Sequence, residues 1–297
     1  MLLLTFVNIN DSASPKPTPS GESSRRFALI LDTEFEFALA RFARQFEPVL
    51  EAALADIGAV APLDASMQLA VMGGGKRFRP FIVHYGCSLF EVPASASDSV
   101  GIAVEFLHAA SLVLDDLPAM DNADMRRGAP SVHRRFGEAQ AILTATALIA
   151  EAFRRLASER TTPDAALRTQ LIARCAQAIG PSGISGGQAL DLLGSGGAPH
   201  KTADLIRFCC EAAPLLAWAP APVIQCLSDF GSALGHIFQD QDDRLDGVAE
   251  TAQSSGDRCP VHQAQEEARR LETEFGFPAE KIRPLVALCE WSKTRSR

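Results

Sequence analysis

The chain has no Cys-x-x-C pair, no run of alternating β-branched residues and no strand-turn-strand pattern of Asn-Gly type. Its seven cysteines (Cys87, Cys175, Cys209, Cys210, Cys226, Cys259 and Cys289) are odd in number and irregular in spacing. That argues against a disulfide framework and against a structural zinc site, and for buried free thiols in a reducing, cytoplasmic setting. Positive charge is also short. The net charge is −8 and the isoelectric point about 5.3, which excludes the phosphate neutralisation that nucleic-acid binding rests on and disfavours anionic membrane surfaces. The apolar start, MLLLTFVNI, has no basic stretch before it and falls short of the roughly 20 residues that span a bilayer, so no stable membrane insertion is expected. Residues 10–26 are rich in Ser and Pro. Residues 1–26 are therefore read as a disordered leader and residues 27–297 as a single domain. No repeat with a period of 20–50 residues is found.

What is present is helical. Phe35, Leu39, Phe42 and Phe46 advance by four, three and four residues, one face of a helix, with Pro48 inside the pattern where a kink is expected. Segments 100–117, 139–153 and 228–238 are apolar enough for buried helices. Glu105 and His108 are the only strongly polar interruptions of the first before Asp115. Glycines at 73–75, 183–187 and 194–197 mark expected inter-helix loops. The expected fold is all-α: one helical bundle around a deep central cavity.

Two acidic clusters interrupt this apolar background. The first is Asp115-Asp116-Leu-Pro-Ala-Met-Asp121; the second is Asp242-Asp243-Arg-Leu-Asp246, preceded by Gln239. On a helix, Asp242, Asp243 and Asp246 share a face, and like charges so close repel unless a divalent cation reverses the sign of the interaction. Hard carboxylate oxygens suit Mg²⁺, which takes its remaining ligands from substrate phosphates. Apolar sequence precedes both clusters, as it would at the rim of a greasy cavity. Asp115 and Asp121 stand about 120° apart on an ideal helix, so a distortion at Pro118 is expected. A third element, Gly73-Gly-Gly-Lys76-Arg77-Phe-Arg79-Pro80, joins close backbone approach to three cations suited to oxyanions.

These stretches, with GGQALDL at 186–192, HKTADLIRF at 200–208 and FQDQDDRLD at 238–246, occur in the order found in the trans-prenyl diphosphate synthases, which the chain resembles over most of residues 31–250. The resemblance implies a homodimeric enzyme that joins isopentenyl diphosphate to an allylic diphosphate. It implies that Asp115, Asp121 and Asp242 hold Mg²⁺, three ions per site, with Asp116, Asp243 and Asp246 in support. Arg126 would bind the allylic diphosphate. Lys76, Arg79, His108 and Arg127 match positions that bind isopentenyl diphosphate. Lys201, Thr202 and Gln239 match residues that hold the allylic diphosphate and stabilise the cation, and Gln188 and Asp191 line the same cavity.

Ala110 and Ser111, five and four residues before Asp115, are both small, and the string HAASLVLDD is similar to bacterial geranylgeranyl diphosphate synthases. Phe106 and Leu107, one turn deeper, would form the floor of a long tunnel. Geranylgeranyl diphosphate is the expected product and farnesyl diphosphate the alternative. The chain departs from its relatives after Asp246, where two lysines are usual. None occurs here before Lys281, and Arg258 is the nearby substitute. That departure leaves a non-catalytic subunit as a rival. A terpene cyclase, with one diphosphate substrate, leaves the basic loop at 73–80 without a purpose.

Overall fold

The apolar spacing read along the chain is realised as helices that bury one stripe each. The computed structural model describes residues 35–193, 200–245 and 259–294, without the side chains of residues 200–202, 243 and 294. The expected leader, the glycines at 194–197, Asp246 and Arg258 lie outside the described residues. Helix α1 (Phe35–Ala55) buries Leu39, Phe42, Phe46 and Leu50 and runs on through Pro48. It is followed by α2 (Leu63–Met72), α3 (Phe78–Leu89) and α4 (Ala94–Asp115). After a short hairpin, β1 (Met125–Arg126) and β2 (Ala129–Pro130), come α5 (Val132–Phe136), α6 (Glu138–Leu156), α7 (Ala165–Ile179) and α8 (Ile184–Leu192). The chain then forms α9 (His200–Leu216), α10 (Ala221–Leu245), α11 (Pro260–Thr273) and α12 (Ala279–Thr294).

Helix α4 lies centrally, against α1, α2, α3, α6 and α9. It is long and apolar enough to cross a membrane, yet 72% of its apolar window is buried within the protein, as befits the core helix of a bundle. One continuous apolar core runs from Leu39 on α1 to Trp291 on α12. The fold is all-α.

Three expectations are corrected. The hairpin supplies two short strands where none was expected. Its turn residues, Arg127 (φ 52°) and Gly128 (φ 82°), both take the left-handed backbone that a two-residue hairpin requires, so an Arg-Gly pair does here what Asn-Gly usually does. Gly186 and Gly187 are not loop residues; they lie inside α8. A Cβ on Gly186 would sit 1.8 Å from the Pro181 carbonyl oxygen, so the glycine lets the chain fold tightly back after α7. Finally, the helix carrying Asp115 is not kinked between Asp115 and Asp121 but ends at Asp115.

Helices α9 and α10 approach closely because glycine faces backbone. A Cβ on Gly235 would lie 2.3 Å from the Cα of Ala203, and one on Gly231 would lie 2.7 Å from the Cα of Arg207. This antiparallel register brings the start of α9, with Lys201 and Thr202, alongside the end of α10, with Gln239 and Asp242. Gly235→Ala is expected to force the helices apart and cost roughly 1–3 kcal/mol, the usual range for overpacking. Urea unfolding would show a lower midpoint at unchanged slope.

Candidate functional site

The site is organised by a buried cation. Arg77, the residue before α3, has a fully buried side chain. Its Nε donates to Glu47 Oε1 at 2.8 Å, its Nη2 to Glu47 Oε2 at 3.2 Å and its Nη1 to Glu105 Oε1 at 2.6 Å. Burial alone would lower the Arg77 pKa, but the bonds to Glu47 and Glu105 outweigh it, and the pKa is raised. Arg77 is therefore unavailable to a ligand, contrary to the reading of three free cations in the loop. It ties the glycine loop to α1 and α4.

Beyond it, Glu105, His108, Leu112 and Asp115 advance along α4 by three, four and three residues, so they share one face. Arg79 Nη1 and Arg127 Nη2 each lie 3.4 Å from His108 Nε2. Arg127 Nη1 also donates to the carbonyl of Gly74, and a Cβ on Gly75 would fall within 3 Å of that guanidinium. Only glycine leaves Arg127 this room. His108 is held well below the ordinary imidazole pKa, first by burial and then by the guanidinium groups of Arg79, Arg127, Arg77 and Arg126. It is thus neutral, and its Nε2 accepts from the guanidinium N–H groups. Burial likewise lowers the Arg127 pKa.

The other side of the hairpin is acidic. Arg126 closes β1 and Arg127 opens the left-handed turn, and their guanidinium groups go to different partners. Arg126 Nε and Nη2 donate to Asp116 Oδ1 at 2.9 and 2.5 Å. That bond, with further attraction from Asp115 and Asp121, raises the Arg126 pKa. The amide of Asp121 donates to the carbonyl of Asp115 at 2.9 Å, and the amide of Asn122 to that of Leu117 at 3.0 Å. Ending the helix and folding the chain back is what brings Asp121 next to Asp115. Asp115 and Asp116 are buried and Asp121 is exposed. Gln188, on α8, reaches the same loop, its amide 3.7 Å from the Met120 sulfur, while its Oε1 is buried without a hydrogen-bond partner.

Aromatic packing joins the basic loop to the second acidic stretch: the rings of Phe78 and Phe238 lie 4.8 Å apart, immediately before Arg79 and Gln239 respectively. Asp242 lies one turn further on α10 and is partly buried. The side chains of Lys201, Thr202 and Asp243 and the whole of Asp246 are outside the described residues. Among the described residues, no three acidic, His or Cys groups are drawn together as a ready-made metal cluster. The donor set nonetheless fits a hard divalent cation, since Asp115 at the end of α4 and Asp242 on α10 both offer carboxylate oxygens. Lys281 does not replace the missing lysines. It lies 4.0 Å from Glu91, and its carbonyl accepts from Tyr85, beyond the far end of α3 from the glycine loop.

Residues 60–258 match the model of the polyprenyl synthetase family. The chain belongs to that family, and it is a prenyltransferase. Over 204 residues it is 41% identical to the farnesyl diphosphate synthase of Escherichia coli (strain K12), covering 64% of this chain and 68% of that one. Over 314 residues it is 30% identical to geranylgeranyl pyrophosphate synthase 12, chloroplastic, of Arabidopsis thaliana, covering 93% of this chain and 85% of that one. The apo structure of an FPP/GFPP synthase from Zymomonas mobilis superposes with a TM-score of 0.72 at 31% identity, over 85% of this chain and 99% of that one.

The site of this prenyltransferase uses residues that motif reading passes over. Glu47 and Glu105 carry no motif. Glu105 signalled itself as a charge in an apolar segment, since a buried carboxylate is tolerated only when paired, whereas Glu47, a third exposed, gave no such signal. Replacing Glu105 with Leu leaves Arg77 half-compensated and is expected to cost about 3 kcal/mol in urea unfolding. The depressed His108 pKa sets a pH dependence. The unfolded chain, with an imidazole near the ordinary value of about 6.5, takes up the proton first as pH falls. The contribution is fully present above about pH 6.5 and is lost below it. Between about pH 7.5 and pH 5.5, wild type should lose more stability than His108→Gln.

Proposed function

We propose that this prenyltransferase condenses isopentenyl diphosphate with allylic diphosphates and releases geranylgeranyl diphosphate. The observation that carries the reading is a basic pocket and an acidic rim on opposite sides of one hairpin, with Arg127 turned into the first and Arg126 into the second. Two diphosphates of different role call for two such subsites.

In this reading, Lys76, Arg79, His108 and Arg127 hold the diphosphate of the isopentenyl substrate. Neutral His108 keeps two guanidinium groups side by side without adding a third positive charge. Arg126, Lys201, Thr202 and Gln239 hold the allylic diphosphate, and Gln188 offers its unpartnered Oε1 to the same cavity. Asp115, Asp121 and Asp242 are the proposed Mg²⁺ ligands, supported by Asp116, Asp243 and Asp246, at three ions per site as the family resemblance implies. When bound, Mg²⁺ supplies stabilisation of the negative charge that develops on the departing diphosphate. The allylic C–O bond breaks and leaves a carbocation. The alkene of isopentenyl diphosphate, held beside it, forms the new C–C bond, and a proton passes to the released diphosphate. The apolar surroundings keep water from quenching the cation.

Product length rests on α4. Ala110 and Phe106 lie four residues apart on a fully buried stripe about 160° around the helix from His108, with Ser111 between that stripe and the reacting face. The Ser111 hydroxyl donates to the His108 carbonyl at 2.9 Å, so it adds no free donor to a tunnel wall. The small side chains of Ala110 and Ser111, in a string similar to bacterial geranylgeranyl diphosphate synthases, support a C20 product, with Phe106 as the proposed floor. The likeness to the E. coli farnesyl diphosphate synthase favours C15 as the second reading.

A homodimer is proposed on the outward stripe of α6, where Ile142 and Leu143 are half exposed beside Thr146 and Ala150. A cytoplasmic location is supported by unpaired thiols, six of seven buried; burial pushes Cys175 up to about 12.

Purified protein incubated with Mg²⁺, isopentenyl diphosphate and, separately, dimethylallyl, geranyl or farnesyl diphosphate is expected to yield geranylgeraniol after dephosphorylation, sized by mass spectrometry. Farnesol as the end product would keep the chemistry and overturn the C20 reading. No condensation with any primer would point to a non-catalytic subunit. Ala110→Tyr is expected to shorten the product, and an unchanged product would refute the role given to α4.

A further inference from the structure

Lys76 rests on a residue from the far end of the chain. Its Nζ lies 5.4 Å from the centroid of the Trp291 ring, within the range of a cation–π contact, where an ammonium is attracted to the negative face of the indole. Trp291 is only 8% exposed and is held from three sides. Its Nε1–H donates to Glu36 Oε1 at 3.2 Å, and its ring lies 5.1 Å from Phe35 and 5.3 Å from Phe78. Phe78 in turn packs on Phe238. A row of aromatic rings thus runs from α1 through α12 and α3 to α10, and it passes directly under the exposed lysine of the glycine loop.

A lysine is a flexible point charge on a four-carbon stem, and ordering it on a ligand costs rotamer entropy. A fixed indole beneath the ammonium removes part of that cost in advance. The row also explains why a C-terminal helix reaches the site at all. Trp291 approaches the site through Lys76 and Phe78.

We infer that Trp291 is a positioning residue for the isopentenyl diphosphate subsite, holding the Lys76 ammonium in place to receive a diphosphate. This rests on the reading of Lys76 as a diphosphate ligand. Because the contact acts on one substrate's binding and is the same in ground and transition states, its loss changes KM for that substrate and leaves kcat alone.

Steady-state kinetics with isopentenyl diphosphate varied at saturating allylic diphosphate test this. Trp291→Leu is expected to raise KM for isopentenyl diphosphate about 3- to 10-fold, the scale of a partly desolvated cation–π contact, with kcat and the allylic KM unchanged. Trp291→Phe, which keeps an aromatic face and loses the bond to Glu36, should restore most of the affinity. In a Lys76→Met background, Trp291→Leu should add nothing. An unchanged KM in Trp291→Leu, an equal rise in the Lys76→Met background, or a joint fall in kcat and rise in both KM values would each overturn the inference. A Lys76→Met protein with normal KM would instead remove the assignment of Lys76 itself, and the inference with it.

A binding readout covers the case in which Trp291→Leu does not fold. The chain has two tryptophans, and Trp218 is exposed in the loop between α9 and α10. In Trp218→Phe protein, isopentenyl diphosphate should change Trp291 emission saturably near its KM. The same titration of Trp218→Phe/Lys76→Met should show no change. Equal responses with and without Lys76 would refute the contact as the link.

Discussion

A guanidinium is buried only where carboxylates meet it, and the rest of this site depends on one such meeting. Arg77 is enclosed by Glu47 from α1 and Glu105 from α4, and three elements distant in sequence are thereby clamped at one point. The clamp holds the loop in a backbone that would otherwise be unfavourable, since Arg77 itself is left-handed at φ 52°. On one side it presents Gly74 and Gly75 to Arg127. On the other it starts α3, so that Phe78 meets Phe238 and Arg79 meets His108. A hydrophobic residue at 77 would bury more cheaply, but it would leave Glu47 and Glu105 with no partner.

The hairpin after Asp121 solves a different problem. Two anionic ligands must lie close enough to react, and each needs its own cations. Arg126 at the end of β1 bonds to Asp116, and Arg127, the first residue of the turn, bonds to the glycine loop. Arg126 bonds to Asp116, so the acidic rim is neutralised locally instead of repelling itself.

Helices distant in sequence meet at the same place. Glycine-to-backbone contact between α9 and α10 brings the starts and ends of those helices together, and α12 brings Trp291 beneath Lys76. The segment after Asp246, which lacks the usual lysines, is followed by two helices that return the chain to the glycine loop.

Much of this was legible without coordinates. The helices of residues 35–55, 94–115, 138–156 and 221–245 follow from apolar periodicity, because burial of one stripe is a local property of sequence. The carboxylates and cations of the site follow from motif chemistry, because few residue types can serve diphosphates and divalent metal. What the sequence could not reveal was pairing between distant residues. Three cations in four residues look equivalent in a string, and only the arrival of Glu47 and Glu105 separates Arg77 from Lys76 and Arg79. The six steps from Asp115 to Asp121 look like a distorted helix, but the helix ends and the Asp121–Asp115 backbone bond makes the two neighbours. The sequence by itself determined which elements form and which chemistry they carry. The tertiary structure decided that Arg77 is enclosed by Glu47 and Glu105, because a charge's partner is chosen by folding in space and not by position along the chain.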